Sequence, residues 1–129
     1  MPPQPESERE VNFCGKLMEK QGIFPSTIPY LSPNSLAYIG DAVYELYVRT
    51  LYLLPPRKVS DYSHLVVEKV RAEAQNKYLQ SIYPLLTETE IDWVRRGRNC
   101  VRKSPRGLSL RIYQEATALE TLLGYLYIC

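Results

Sequence analysis

The apolar residues of this chain recur mostly at intervals of three and four, the spacing of residues on one face of a helix. The clearest run is Leu36, Ile39, Val43, Leu46, Thr50 and Leu53. It follows the segment Ser32-Pro33-Asn34-Ser35, whose side chains can cap a helix N-terminus. A shorter helix over residues 10–21 is expected before it. Because no segment alternates apolar and polar residues as a strand does, the pattern predicts an all-α protein.

Three more helices are expected in the rest of the chain, each beginning after a polar or proline-containing break. The second of these begins with a Thr and has a Glu three residues later, which is the pattern of a capping box. The same helix is expected to end where basic residues are followed by a glycine. The three helices are predicted from a Ser60/Asp61 cap to about Ser81, from Thr87 to about Arg96-Gly97, and from about Leu108 to Ile128.

The length and residue content fit a single domain. The chain has 129 residues, of which 45% are hydrophobic, enough to form a buried core. We predict one domain over residues 10–129, preceded by a flexible, proline-rich and acidic segment at residues 1–9. No apolar run reaches the roughly 18 residues that a membrane span needs, so no membrane partner is expected.

Cysteine and histidine are too few for several kinds of site. The 3 cysteines are an odd number without a C-x-x-C spacing, which argues against a disulfide scaffold or a zinc site. They favour a reducing, cytoplasmic compartment instead. The single histidine argues against a histidine-dependent catalytic triad.

The net charge of +2 hides a strong asymmetry along the chain. Seven of the 16 basic residues lie between Arg95 and Arg111, and no acidic residue interrupts them. The remainder of the chain has nine basic and 14 acidic residues, a balance of −5. A basic segment on an otherwise acidic domain indicates contact with a polyanion. The alternative is a solvated arginine-rich loop that binds nothing.

Two acidic residues occupy positions where apolar residues are expected. Asp41 lies within the apolar sequence of the predicted central helix, and Glu120 lies in an equally apolar part of the last helix. An ionised carboxylate in such surroundings is costly unless it is paired or bound to a cation. Gly40 and Gly124 lie near these acids, and glycine within a helix suggests that another helix or a ligand approaches closely.

The chemistry of these acids leaves two interpretations open. Carboxylates without histidine or cysteine favour a hard cation, above all Mg²⁺, and Glu45 shares the helical face of Asp41. A bound Mg²⁺ with open positions would suit phosphodiester hydrolysis. Alternatively, Asp41 and Glu120 each pair with an arginine across a helix interface, for which Arg49 and Arg111 are available. Glu45 has an alternative of its own, as a solvated acid or a partner of Arg49 four residues later.

Five segments resemble the ribonuclease III family. Tyr38–Leu46 resembles its signature helix, with a Gly-Asp-Ala-Val sequence, and Ala118–Tyr127 resembles its last catalytic helix, in which a Glu precedes a Gly. Three other segments resemble the Mini-ribonuclease III branch, a catalytic domain without the double-stranded-RNA-binding domain. They are Lys69–Gln75, Val94–Asn99, and Tyr113 followed by Ala116-Thr117. Together the five cover about residues 35–128 in the expected order.

The resemblance implies a fold and a set of site residues. The fold would be the helical bundle of the ribonuclease III endonuclease domain, with Asp41 and Glu120 as catalytic Mg²⁺ ligands and Glu45 as a supporting acid. Ordinary ribonuclease III also has acids at the positions of Ala37 and Thr117, and the branch is similarly reduced. The RNA contacts would come from Arg95, Arg96, Arg98, Arg102, Lys103 and Arg106. For Arg96 and Arg98, capping the helix or anchoring its loop is the alternative role.

The resemblance also implies a function. A homodimer in the cytoplasm would lay double-stranded RNA across two Mg²⁺-dependent sites, each cutting one strand to leave a 5′-phosphate and a 3′-hydroxyl. The substrate of the branch is the precursor of large-subunit ribosomal RNA. One alternative is a non-catalytic RNA-binding or ribosome-associated module of the same fold, although a family member that has lost its activity should have lost the essential acid, which is present here as Asp41. Another is a helical adaptor in which the acids are merely ion-paired.

Overall fold

The computed structural model describes residues 15–56 and 68–129, with the side chains of residues 68–70 excepted. Four long helices are present in this part of the chain, and no residue in it belongs to a strand. They are α1 (Pro33–Leu51), α2 (Glu68–Ile82), α3 (Glu88–Asn99) and α4 (Leu110–Ile128). Two short 3₁₀ helices occupy Pro25–Tyr30 and Tyr83–Leu85. The prediction of an all-α protein is therefore confirmed.

Several predictions fall outside the described residues. They are the flexible segment at residues 1–9, the first part of the helix expected at residues 10–21, and the Ser60/Asp61 cap. The described part of that first helix, residues 15–20, is helical. None of the described helices is both long and apolar enough to cross a membrane.

The chain divides into two compact units, Met1–Leu31 with Ile128–Cys129, and Ser32–Tyr127. Only residues from Gly15 onwards are described in the first unit. There, the Thr27 hydroxyl accepts a hydrogen bond from the main-chain N–H of Phe24 at 3.1 Å, and Ile28 is buried. The second unit contains the acids and the basic segment identified in the sequence.

Helix α1 begins where the sequence predicts. Ser32 is its N-cap, and the Ser32 hydroxyl accepts a hydrogen bond from the main-chain N–H of Ser35 at 3.2 Å. The predicted apolar face is only partly correct, because Leu46, Thr50 and Leu53 are exposed. The buried positions are instead Leu36, Ala37, Gly40 and Tyr44. The small residues among these four let another helix approach, which a search for large apolar side chains does not detect.

Helix α3 begins as predicted but ends later. Thr87 and Glu90 form the expected capping box, with hydrogen bonds of 3.2 Å and 2.8 Å between their side chains and main-chain N–H groups. The predicted end near Arg96-Gly97 is wrong, because the helix continues through Gly97 to Asn99. A Cβ atom on Gly97 would lie 2.4 Å from the Thr121 hydroxyl oxygen. Gly97 therefore allows α3 to pack closely on α4 and does not end the helix.

Helices α1 and α4 touch through their main chains. A Cβ atom on Gly40 would lie 1.6 Å from the main-chain oxygen of Glu120, and one on Gly124 would lie 1.9 Å from that of Leu36. Of the two explanations for these glycines, close approach of the helices is the correct one. Around this crossing lies a core to which all four helices contribute: Tyr44, Leu79, Val94, Ala118, Leu119 and Leu122.

Candidate active site

The crossing of α1 and α4 brings together the two acids identified in the sequence. Asp41 follows Gly40 directly, and Gly40 lies against the main chain of Glu120. The Asp41 carboxylate is close enough to Glu120 to repel its ionised form and to accept a hydrogen bond from its protonated form. Two acids that are 79 positions apart in the sequence thus form one carboxylate pair.

Glu120 is the more perturbed member of the pair. Its pKa is raised from the usual 4.5 to about 7. Burial is the largest cause, because desolvation disfavours the charged form, and the charge of Asp41 is the next. Arg71 and a hydrogen bond donated by the Gln75 amide, 3.4 Å from Oε1 of Glu120, lower the pKa by smaller amounts. A bound cation would favour the ionised form of Glu120 for the same electrostatic reason.

Arg71, on α2, holds Asp41 from one side. Its Nη2 atom forms an ion pair with Oδ1 of Asp41 and donates to the main-chain oxygen of Asp41 at 3.1 Å. Its guanidinium lies over the Tyr44 ring, 5.4 Å from the centroid, and its Nε–H is buried without a hydrogen-bond partner among the residues that the structure describes. The Arg71 side chain is 18% exposed, whereas that of Asp41 is 50% exposed. Asp41 therefore faces the solvent from a largely buried support.

The arginine expected to pair with Asp41 was not correctly identified from the sequence. Arg49 pairs instead with Glu45, with 2.7 Å between Nη2 and Oε1, and Arg111 lies exposed on α4. Arg71 and Gln75 are one helical turn apart on α2 and both reach the carboxylate pair. Their positions lie within Lys69–Gln75, one of the segments that resembles the ribonuclease III family, and this was the signal that could have indicated them.

The donor set fits a hard divalent cation. Asp41 and Glu120 offer carboxylate oxygens only, and Mg²⁺ in proteins is often held by one or two carboxylates while it keeps several waters. Glu45 lies one helical turn after Asp41 and is in an ion pair with Arg49. Within the described residues, no group of three or more acidic, cysteine or histidine side chains is arranged to hold a metal. The site therefore suits an ion with few protein ligands.

The six basic residues predicted to contact RNA fall into two groups. Three of them have partners within the protein: Arg98 donates to both carboxylate oxygens of Glu115 at 2.5 and 3.1 Å, Arg95 pairs with Asp92, and Arg96 lies over the Trp93 ring at 4.1 Å. The other three are exposed in the loop between α3 and α4 and form no ion pair with the described residues. These three are Arg102, Lys103 and Arg106.

Comparison with known protein families provides independent evidence on what this arrangement of residues is. The Ribonuclease III domain family model matches residues 34–129, which contain nearly all of the four long helices and both acids. The chain belongs to the ribonuclease III family. Several members of the family are similar in sequence to this chain, and they are named Mini-ribonuclease 3, after the branch that the sequence motifs resemble.

The Mini-ribonuclease 3 of Synechocystis sp. is 54% identical over 98 residues, which are 76% of this chain and 68% of the relative. The Mini-ribonuclease 3 of Thermosynechococcus vestitus is 46% identical over 116 residues, covering 88% of this chain and 75% of the relative. A crystal structure of a Fusobacterium nucleatum protein superposes with a TM-score of 0.66 at 33% identity, covering 74% of this chain and 79% of that one. These similarities confirm the resemblance to the Mini-ribonuclease III branch and the ribonuclease III fold.

Membership of this family also indicates the general class of activity. The protein is a ribonuclease of the ribonuclease III family, and its activity is that of an endonuclease. Its carboxylate pair is formed by helices α1 and α4, which correspond to the two catalytic-helix motifs identified in the sequence.

Proposed function

We propose that this ribonuclease is Mg²⁺-dependent and cuts both strands of double-stranded RNA, with Asp41 and Glu120 as its metal ligands. The observation that carries the proposal is the close approach of these two carboxyl groups at the α1–α4 crossing. Two acids that repel each other, one of them largely buried, are unfavourable by themselves, and a divalent cation would relieve that repulsion. Glu45 is a candidate for a supporting role, although Arg49 engages it.

A Mg²⁺ ion bound by these oxygens would supply the positive charge that activates water and offsets the charge of the phosphodiester. The protein residues hold the ligands for it. Arg71 orients Asp41, and the Gln75 amide donates to Glu120. The reaction requires no side-chain nucleophile. A water oxygen forms the new bond to phosphorus and the bond to the 3′ oxygen breaks, which leaves a 5′-phosphate and a 3′-hydroxyl.

The basic segment supplies the contacts to the RNA backbone. Arg102, Lys103 and Arg106 are exposed and free to meet phosphates. Arg95 and Arg96 are also exposed, although each has a partner on its own helix, so they are candidates for further contacts. Arg98 has the geometry of the anchoring role, because both of its donors engage Glu115. Contacts to phosphates and 2′-hydroxyls give little sequence preference.

Cutting both strands of a duplex together requires two sites, and the described residues of one chain contribute the carboxylate pair of one site. We therefore propose a homodimer that lays one duplex across two sites and leaves short 3′ overhangs. Large apolar side chains on the surface of the second unit favour such an association, since 79% of Tyr38, 68% of Leu46 and 81% of Leu85 is exposed. The proposed substrate, precursor of large-subunit ribosomal RNA in the cytoplasm, rests on the resemblance to the branch.

The experiment that tests the proposal measures cleavage of a long, perfectly paired RNA. The purified protein is incubated with the duplex in Mg²⁺ or in EDTA, beside Asp41→Asn and Glu120→Gln. We expect cleavage only by the wild type in Mg²⁺, with 5′-phosphate ends. Glu88→Gln is the matched control, because Glu88 is an exposed acid in the first turn of α3. Cleavage that persists in EDTA or in Asp41→Asn would rule out the proposed site, and binding without cleavage would favour a non-catalytic RNA-binding module.

A further inference from the structure

Arg71 contacts the carboxylate pair, and the proposed mechanism gives it only the role of orienting Asp41. Its Nη2 atom engages both the side chain and the main chain of Asp41. It therefore engages one of the two carboxylate oxygens of Asp41 that are available to a cation. A guanidinium and a divalent cation repel each other, so they do not share one carboxylate oxygen without cost.

The surroundings of Arg71 hold it in place but do not fully satisfy it. Its guanidinium lies over the Tyr44 ring, and the side chain is mostly buried. Its Nε–H is buried and has no hydrogen-bond partner among the described residues. An unsatisfied buried donor costs free energy, so Asp41 and the ring are the favourable contacts that keep this side chain at the site.

The pair formed by Glu45 and Arg49 offers an internal comparison. It is also an acid of α1 bound by an arginine, but the arginine belongs to the same helix and its side chain is 71% exposed. Solvent screens such a pair strongly, and the two side chains separate at little cost. Arg71 reaches Asp41 from another helix and from a less exposed position, so its charge acts on Asp41 with less screening.

We propose that Arg71 is a positioning residue that competes with the divalent cation for Asp41 and thereby weakens the affinity of the site for the metal. This inference rests on the metal role proposed above for Asp41 and Glu120. In this arrangement Arg71 keeps the Asp41 carboxylate oriented, and a cation held by Asp41 would weaken or replace the guanidinium contact.

The test is Mg²⁺ affinity, measured by titration calorimetry on protein freed of metal with EDTA and then dialysed. The pH is kept above the pKa of Glu120, so that proton release does not obscure the comparison. We expect Arg71→Gln to bind Mg²⁺ about three- to tenfold more tightly than the wild type. Arg71→Lys keeps the charge and should remain within about twofold of the wild type. A residue with a merely structural role would weaken binding when removed, and would not strengthen it.

Arg111→Gln is the charge-matched control, because Arg111 is exposed on α4, and we expect its Mg²⁺ affinity to be unchanged. An equal gain in Arg111→Gln would show a general effect of net charge and would overturn the inference. Unchanged or weaker binding by Arg71→Gln would overturn it as well, while leaving the proposed function intact. If the wild type binds no Mg²⁺, the proposed metal site fails and this inference fails with it.

A measurement on the wild type covers the case in which Arg71→Gln does not fold. The Arg71 Nε–H is shielded from water, so its signal should be observable by NMR, as should that of Arg98, which is hydrogen-bonded to Glu115. Mg²⁺ should shift the Arg71 signal and leave the Arg98 signal in place. Carboxyl shifts at Asp41 without any shift at Arg71 would overturn the inference.

Discussion

Arg98 and Glu115 join the end of α3 to the first turns of α4 through two hydrogen bonds, 2.5 and 3.1 Å long. The Glu115 side chain is only 9% exposed, whereas that of Arg98 is 33% exposed. The arginine therefore neutralises a buried acid at the point where the basic loop begins. The loop that we assign to RNA binding is thus anchored at this end by Arg98, a basic residue in the last turn of α3.

Removal of Arg98 should destabilise the protein. In Arg98→Ala the Glu115 carboxylate is left buried without its partner, and we expect the free energy of unfolding to fall by about 2 kcal/mol. The measurement is urea unfolding at neutral pH. Arg95→Ala is the matched control, since the pair of Arg95 with Asp92 is exposed and should contribute less than about 1 kcal/mol. Equal losses in both variants would contradict the distinction between the two pairs.

A methyl group on Gly40 should disrupt the α1–α4 crossing. The main-chain oxygen of Glu120 would lie 1.6 Å from the added Cβ atom, and main chain cannot rotate away as a side chain can. We expect Gly40→Ala to lower the free energy of unfolding by about 3 kcal/mol or more, and to lose Mg²⁺ binding together with stability. Gly15→Ala is the control, because a Cβ atom there meets nothing within 4 Å. In a helix this change should be neutral or stabilise by up to about 1 kcal/mol. A Gly40→Ala protein as stable as the wild type would argue against the close contact.

The raised pKa of Glu120 should appear in the pH dependence of stability. Between the unfolded pKa of 4.5 and the folded pKa of about 7, the folded protein keeps a proton that the unfolded chain has released. Metal-free protein should therefore lose stability as the pH rises through this interval, by up to about 3 kcal/mol, and then level off. Urea unfolding at several pH values, compared with Glu120→Gln, isolates this contribution. Parallel curves for the two proteins would show that Glu120 has an ordinary pKa.

The exposed basic loop residues should set the salt dependence of RNA binding. Replacing Arg102, Lys103 and Arg106 with Gln should weaken binding of an RNA duplex and reduce the slope of log K against log salt by up to about 3. Filter binding in EDTA at several salt concentrations measures this without cleavage. The control is a triple change to Gln at exposed lysines elsewhere, Lys16, Lys20 and Lys77. A similar loss of slope in both triple variants would indicate a general charge effect and would remove the loop from the interface.

Local sequence was sufficient wherever a structural feature depends on neighbouring residues. The starts of α1 and α3 were predicted correctly because Ser32 and the pair Thr87 and Glu90 cap main-chain groups three residues away. The end of α3 was not predicted correctly, because Gly97 is required by its close contact with Thr121 on α4 and not by a helix end. The buried face of α1 differs from the predicted one for a similar reason. Close packing of another helix at Gly40 takes the place of contacts between large apolar side chains.

In the candidate site, too, some residues could be predicted from local sequence and others could not. Asp41 and Glu120 stood out because each is an acid in an apolar helix, and the glycines beside them indicated the close approach. Arg71 did not stand out, because an arginine on a polar helix is ordinary and its partner lies 30 positions earlier. Composition and spacing alone do not distinguish Arg71 from Arg49, which is closer to Asp41 in sequence but pairs with Glu45.

The main-chain contact between α1 and α4 has a consequence for how this protein can diverge. The spacing of the two acids is set by backbone meeting backbone at Gly40 and Gly124, and not by the volume of any side chain between the helices. Core residues such as Leu79 and Val94 can therefore be exchanged for others over evolutionary time without moving the acids apart. The glycines themselves have no such freedom, so the least reactive residues of the site are the ones that tolerate substitution least.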